Sequence, residues 1–456
     1  MNKIRITQTE EIVKSLRSLI ETMNADEFNE RDTGLSLLTF IYVFTITICT
    51  MKHVTLEGLA IKCQELQYGL SLSKQALHKR LAKGKKELEK LLAFTVLMTM
   101  MYKVEKPNTA VVLKQFAAVL ITDATIITLP DKLAIYHQGL GGTNADSAMK
   151  IQATYDLIGK TFRKISQRNS SKENDTAYMD ELIENINANE LSITDLGYFG
   201  VRHFKKIDEK GAYFISKIKS NTILYNVENG KSIRIVDELK DKDDTDQMVM
   251  IKGDNGKISM KVRLCGIKLP SKVYAERIRK ARKENAGKTL SKEKRERLKW
   301  ILIITNVPED MLSFDAVCEI YRLRWTIELI FKSWKSYFSI DKMNNIGKDY
   351  WDCLLYGRLI IITMLTALHS QFHYSLLETS ERGISFLRFM KNMRDNLDTI
   401  MNYFIYQKSD EDISITINRV IFASLIEKRR RKTTEQTIAV YDLPCDCIKL
   451  ISDLAA

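Results

Sequence analysis

One stretch constrains this chain more than any other: Tyr321-Arg-Leu-Arg-Trp-Thr-Ile-Glu-Leu-Ile-Phe-Lys-Ser-Trp-Lys335. Leu323, Ile327, Ile330, Phe331, Trp334 and Phe338 recur with a helical period, which predicts one amphipathic helix with its apolar stripe on a core. At about 100° per residue, Tyr321, Arg324, Glu328 and Lys335 fall within roughly 60° of one another on a second stripe. A rigid element thus presents one carboxylate among two cations and a phenol. A surface helix laced with ion pairs would show the same pattern, because Arg324 and Glu328 are i,i+4 neighbours.

Two upstream acids sharpen the choice. Asp123 stands in the middle of an apolar, β-branched run, Ala118 to Pro130, that reads as a buried strand. A carboxylate there is expensive unless it is paired or binds a metal. Asp195 ends a short strand, Leu191 to Thr194, and opens the turn Leu-Gly-Tyr-Phe-Gly200. An acid at a strand end is a common place for a ligand. Either aspartate alone also suits a strand-end cap or a turn. Two strand acids and one helix acid form a more specific set.

The formal charge is +13 over 456 residues. That excess favours a polyanionic partner, nucleic acid before an anionic membrane surface. A hydrophobic content of 45% with 28% charged residues excludes a disordered chain. The length allows two or three domains. Cys49, Cys63, Cys265, Cys318 and Cys353 lie in apolar contexts and read as reduced core thiols, which fits a reducing cytoplasm. Cys445 and Cys447 make too small a set for zinc, and His369 and His373 read as structural. No signal peptide is expected. Leu35 to Met51 lacks charge but contains five Ser or Thr, so it reads as a buried core helix rather than a membrane span.

Residues 1–105 read as helical. Helices at 55–67 and 72–92, joined by a short Gly69 turn, suggest a helix-turn-helix, with Gln75, Lys79 and Arg80 on the reading helix. An ordinary helical hairpin with a basic face is the alternative. Strands follow near 117–129, 148–158 and 161–167. Then come a helix at 175–188, a strand at 191–195, a helix at 201–209 and a strand at 212–219. A strand at 300–305 leads into the helix 314–338. This order describes a mixed-sheet α/β domain over 110–345. The gap between Asp195 and Glu328 marks 222–299 as an insertion, β-rich in its first half. Its end, 271–299, carries 12 Lys or Arg against 4 Glu, which suits phosphate contacts. Residues 346–456 read as helices plus a basic run, Lys428 to Lys432.

At this point the chain resembles the bacterial insertion-sequence DDE transposases of family four. Tyr321-x2-Arg324-x3-Glu328-x6-Lys335 matches that family's Tyr-Arg-Glu-Lys signature. Asp123-Ala-Thr and Asp195-Leu-Gly-Tyr-Phe resemble its two aspartate motifs, and Leu298-Lys-Trp300 resembles its pattern upstream of the signature. The resemblance spans roughly residues 115–340. It implies a ribonuclease-H-like core with a β-rich insertion, preceded by a helical DNA-binding domain and followed by C-terminal helices. It also implies cut-and-paste DNA transposition by a homodimer acting on transposon ends and target DNA through a hairpin intermediate. No membrane partner is expected, and the expected place is the bacterial cytoplasm at the nucleoid.

The implied chemistry is physical. Three converging carboxylates, Asp123, Asp195 and Glu328, repel one another. Two Mg²⁺ or Mn²⁺ ions would offset that repulsion and serve an in-line displacement at phosphorus. Tyr321, Arg324 and Lys335 would hold DNA phosphates. By resemblance, Trp300 would stack on a base flipped out at the hairpin; as an aromatic at a strand start it suits the core equally. A metal-dependent nuclease without strand transfer and a decayed DNA-binding protein remain the competing classes. The intact acids argue against decay.

Overall fold

A computed structural model describes residues 34–426 apart from 104–110, 142–144, 220, 286–288, 343–345, 381–382 and 401–409, together with 14–15, 18–23 and 28. Lys428 to Lys432, Cys445 and Cys447 lie outside the described residues. In chain order the main elements are α1 (Leu37–Thr50), α2 (Leu56–Leu66), α3 (Lys74–Met101), β1 (Val119–Thr128), β2 (Ala148–Asp156) and β3 (Thr161–Arg168). Next come α4 (Met179–Glu184), β4 (Leu191–Thr194), α5 (Val201–Glu209), β5 (Tyr213–Lys217), β6 (Leu224–Tyr225), β7 (Ser232–Ile233), β8 (Asp244–Gly253) and β9 (Ile258–Lys268). They are followed by α6 (Ser271–Glu284), α7 (Lys292–Arg297), β10 (Trp300–Thr305), α8 (Phe314–Arg322), α9 (Trp325–Phe338), α10 (Lys348–Ser380), α11 (Phe386–Asp395) and α12 (Asp410–Ser424). The expected strands are all present, with ends shifted by up to two residues, and the fold is a mixed α/β one.

The described residues form two compact units. The first takes its residues from 1–108, 124–172 and 327–429, the second from 109–123 and 173–326. In the first unit, Thr55 opens α2 by accepting from the Gly58 amide, and Ser73 opens α3 by accepting from Ala76. Such caps satisfy amides that have no partner inside the helix. α1 is buried along Val43 to Cys49 and contains a π-turn, Val43–Thr47. α10 packs against α3 and against that turn. Gly357 permits the approach, since a Cβ there would lie 1.5 Å from the Phe44 carbonyl oxygen. α10 is long and apolar enough to cross a membrane, but 94% of its apolar window is buried inside the protein. In this unit β3, β2 and β1 are neighbours in that order, and β2 and β3 are antiparallel. Trp334 of α9 packs on Phe162 of β3, with ring centroids 5.7 Å apart. The apolar stripe read from the sequence is therefore a core face. His369 and His373 are buried within hydrogen-bond distance of the Ile384 carbonyl, at 3.0 and 3.2 Å.

In the second unit the strand order is β1, β4, β5, β10, β9, β8, β6, β7. β1, β4 and β5 are parallel; β10 runs antiparallel to both β5 and β9. The β8–β9 hairpin turns at Asp254 and Asn255, both with left-handed φ (49° and 56°). Asp and Asn tolerate that conformation. The core of this unit centres on Phe204 stacked on Phe214 at 4.3 Å, with Tyr198 and Trp300 packed into it.

One expectation is corrected. The predicted single helix over 314–338 is two helices, α8 and α9, broken at Leu323 and Arg324. The amides of Leu323, Arg324 and Thr326 bond three residues back, to Ile320, Tyr321 and Leu323, so the backbone tightens there. The apolar period continues across the break, which hid it from a pattern reading.

Candidate active site

β1 and β4 pair in parallel from Val119↔Leu191 to Thr122↔Thr194. Asp123 comes next on β1, and Asp195 follows the last residue of β4 in an extended conformation. Side chains alternate along strands, so both carboxylates leave the same face of backbones about 4.8 Å apart. Thr194 in turn pairs with Ser216, which sets Lys217 of β5 in the same row. Sequence reading could not find Lys217, because parallel register is not legible without the partner strand.

Two carboxylates this close repel, and Arg324 supplies the counter-charge. Its Nη1 donates to Asp123 Oδ2 at 3.2 Å, and its Nε stands 3.8 Å from Asp195 Oδ1. The guanidinium is 9% exposed, against 21% for Asp123 and 40% for Asp195. The tightened turn before α9 is what carries Arg324 to this position. Tyr321, on the preceding turn of α8, is buried. Burial pushes its phenol pKa well up, and the Asp195 charge adds to that. The Lys217 ammonium lies 5.3 Å from the Tyr321 ring centroid, in cation–π range. The structure thus brings together Asp123, Asp195, Tyr321 and Arg324, and adds Lys217. It also presents Trp325, directly after Arg324, with its indole 63% exposed.

Glu328 lies half-buried in the first turn of α9. Lys335, later on α9, donates from Nζ to the Ile126 carbonyl of β1 at 3.1 Å. Among the described residues no group of three or more His, Cys, Asp or Glu is gathered in metal-ligating geometry. Asp123 and Asp195 nonetheless offer hard oxygen donors side by side, the donor type that a divalent cation such as Mg²⁺ or Mn²⁺ requires.

The other candidates separate by burial. Trp300 is 6% exposed and packed in the core of the second unit. Gln75 and Lys79 are exposed on α3, whereas Arg80 is 6% exposed. The basic segment 271–299 holds α6 and α7 with most cations solvent-facing. Arg277 turns back instead, donating to the Trp300 carbonyl at 3.1 Å.

Comparison with known proteins agrees with this geometry. The Transposase DDE domain family matches residues 114–364, which include both aspartates and the whole of α8 and α9. The transposase for insertion sequence element IS1151 of Clostridium perfringens is 30% identical over 79% of this chain and 79% of its own length. The transposase for IS231B of Bacillus thuringiensis subsp. berliner is 28% identical over 85% of this chain and 84% of its own length. With paired aspartates on adjacent parallel strands inside the matched segment, the chain belongs to the insertion-sequence transposases that carry a DDE transposase domain.

Proposed function

We propose that this transposase, an enzyme of DNA cleavage and strand transfer, works by cut-and-paste through a DNA hairpin on a ribonuclease-H-like core. The observation that carries the reading is the neighbouring placement of Asp123 and Asp195 with Arg324 between their charges. The β3-β2-β1 order in the first unit and the parallel β1-β4-β5 set in the second support the core assignment. Glu328 enters as the third carboxylate through its spacing from Tyr321, Arg324 and Lys335. Asp123, Asp195 and Glu328 would hold two divalent cations, Mg²⁺ or Mn²⁺. Bound there, the ions supply Lewis acidity to the scissile phosphate and a nucleophile at neutral pH.

This chain's own groups do the rest. Arg324, Tyr321 and Lys335 grip phosphates flanking the scissile bond. Lys217, in the acid row, adds a cation on the same face. The α2–α3 pair would read transposon ends through Gln75 and Lys79, the cationic face of 271–299 would hold DNA without regard to sequence, and two copies would act on paired ends. The test is Asp195→Asn and Glu328→Gln on end-bearing duplex. Cleavage is expected to vanish while end-binding persists. Near-normal cleavage by either variant overturns the assignment.

A further inference from the structure

A cavity of about 830 Å³ opens in the first unit, lined by the end of α1, the chain that leaves α9, and α10. Its wall carries Lys52, His53, Lys342, Arg358 and Arg394 against Asp341 and Asp395. Arg394 and Asp395 neutralise each other, with Nε donating to Oδ1 at 2.9 Å. Arg358 is differently placed. It is 4% exposed, on the apolar stretch of α10. Its Nη1 donates to the Ser339 carbonyl at 3.1 Å, but its Nε meets no acceptor among the described residues. Among the described residues no carboxylate forms an ion pair with it; Asp341 lines the same cavity yet leaves Oδ1 buried and without a partner. The Asp341 charge acts on Arg358 without a contact ion pair or hydrogen bond between them, and a buried guanidinium that lacks a contact partner for its charge is costly. A bound anion removes that cost.

We propose that this cavity is a phosphate site, with Arg358 as its buried anchor and Lys52 and Lys342 at its mouth. The phosphate is a backbone phosphodiester of DNA. Three observations favour a diester over a small free anion. The cavity is far larger than one phosphate needs. Lys52 and Lys342 are exposed at its mouth, where a continuing strand would pass. The chain carries a formal charge of +13. The inference rests on the transposase reading for its source of phosphate, and none of its residues belongs to the acid row of Asp123 and Asp195.

The test uses the full chain, the variants Arg358→Met and Lys342→Gln, and two probes. The first probe is a labelled duplex of arbitrary sequence, titrated with salt. Each lost phosphate contact should reduce the slope of log K against log salt by about 0.9. The second is inorganic phosphate in thermal melts, since a ligand of the native state raises Tm. Both variants are expected to flatten the salt slope. Arg358→Met should melt at or above the parent protein without ligand and lose the phosphate-induced rise. An unchanged slope in both variants overturns the proposal. A phosphate-induced rise that depends on Arg358, with an unchanged slope, overturns DNA as the source and leaves a small-anion site. Unfolding of Arg358→Met together with an unchanged slope for Lys342→Gln marks Arg358 as structural and also overturns it. A parent protein that bound no duplex would instead overturn the transposase reading, a distinguishable failure.

Discussion

The Arg324 guanidinium stands 3.2 Å from the Asp123 carboxylate and shares its charge with Asp195 at 3.8 Å. A buried cation therefore stands against both acids. Arg324→Gln should expose the repulsion between the acids and lower the Tm of metal-free protein. Millimolar Mg²⁺ should then raise Tm more in the variant than in the parent, because the ions replace the missing charge. Thermal melts with and without MgCl₂ check this. Equal metal response in both proteins would show that the aspartates do not sense Arg324.

The two tryptophans near the signature should separate. Trp300 is packed in the core, so Trp300→Ala should cost about 3–5 kcal/mol of stability and depress every reaction step together. Trp325 is 63% exposed. Trp325→Ala should shift stability by no more than about 0.5 kcal/mol. If its indole stacks on a displaced base, worth about 1–3 kcal/mol, hairpin formation should slow while nicking persists. Separate quantitation of nicked, hairpin and fully cleaved DNA decides between them. Selective loss of hairpin in Trp300→Ala, at unchanged stability, would restore Trp300 as the stacking residue.

On α3, Gln75 and Lys79 face solvent while Arg80 is buried. Gln75→Ala and Lys79→Ala should weaken or redirect end-binding at unchanged Tm. Arg80→Ala should lower Tm first, through lost packing. Binding assays on cognate and scrambled ends, paired with melts, test this. Unaltered preference in both surface variants would reduce the α2–α3 pair to an ordinary helical hairpin.

Acid should destabilise the protein through His137. The residue is 1% exposed, and neither ring nitrogen has a hydrogen-bond partner among the described residues. Burial holds its pKa below the ordinary 6.5; the Asp352 charge opposes that shift and Lys348 adds to it. The unfolded chain gains a proton near pH 6.5 while the folded chain does not. Stability is therefore fully present above about pH 6.5 and is lost as pH falls through the depressed folded pKa. His203 is depressed by burial too. His137→Leu should accordingly reduce, without abolishing, the fall in Tm between about pH 7.5 and 5. An identical pH profile in the variant would remove His137 from the account.

Much of the fold is legible in the sequence. Alternating and β-branched runs located β1 to β5 and β10, because burial writes its period into the sequence. The long spacing from Asp195 to Glu328 left room for extra strands, and β6 to β9 lie within it. The break between α8 and α9 was not legible, since Leu323 and Ile327 keep the apolar period across a turn made by backbone hydrogen bonds alone. Lys217 was invisible for a different reason. Its meaning lies in the register of β4 against β5, which depends on strands distant in sequence. Arg80 and Trp300 show the limit of residue type as a guide. A cation or an aromatic ring in a promising motif can still be spent on packing.

The pairing of β5 with β10 has a consequence for how such a chain can vary over evolutionary time. After Lys217 the chain builds β6 to β9 farther along the same sheet and returns on the strand adjacent to β5, with Ile303 opposite Lys217. Everything between those points is a detour whose two ends are already side by side. Lengthening a loop within it adds only the slow logarithmic cost of closure and leaves the acid row in register. The interval from Arg324 to Glu328 has no such freedom. One residue inserted there would rotate all of α9 beyond it by about 100° and advance it by about 1.5 Å. Length is thus a free variable in one segment and a fixed quantity in the other, whatever residues fill them.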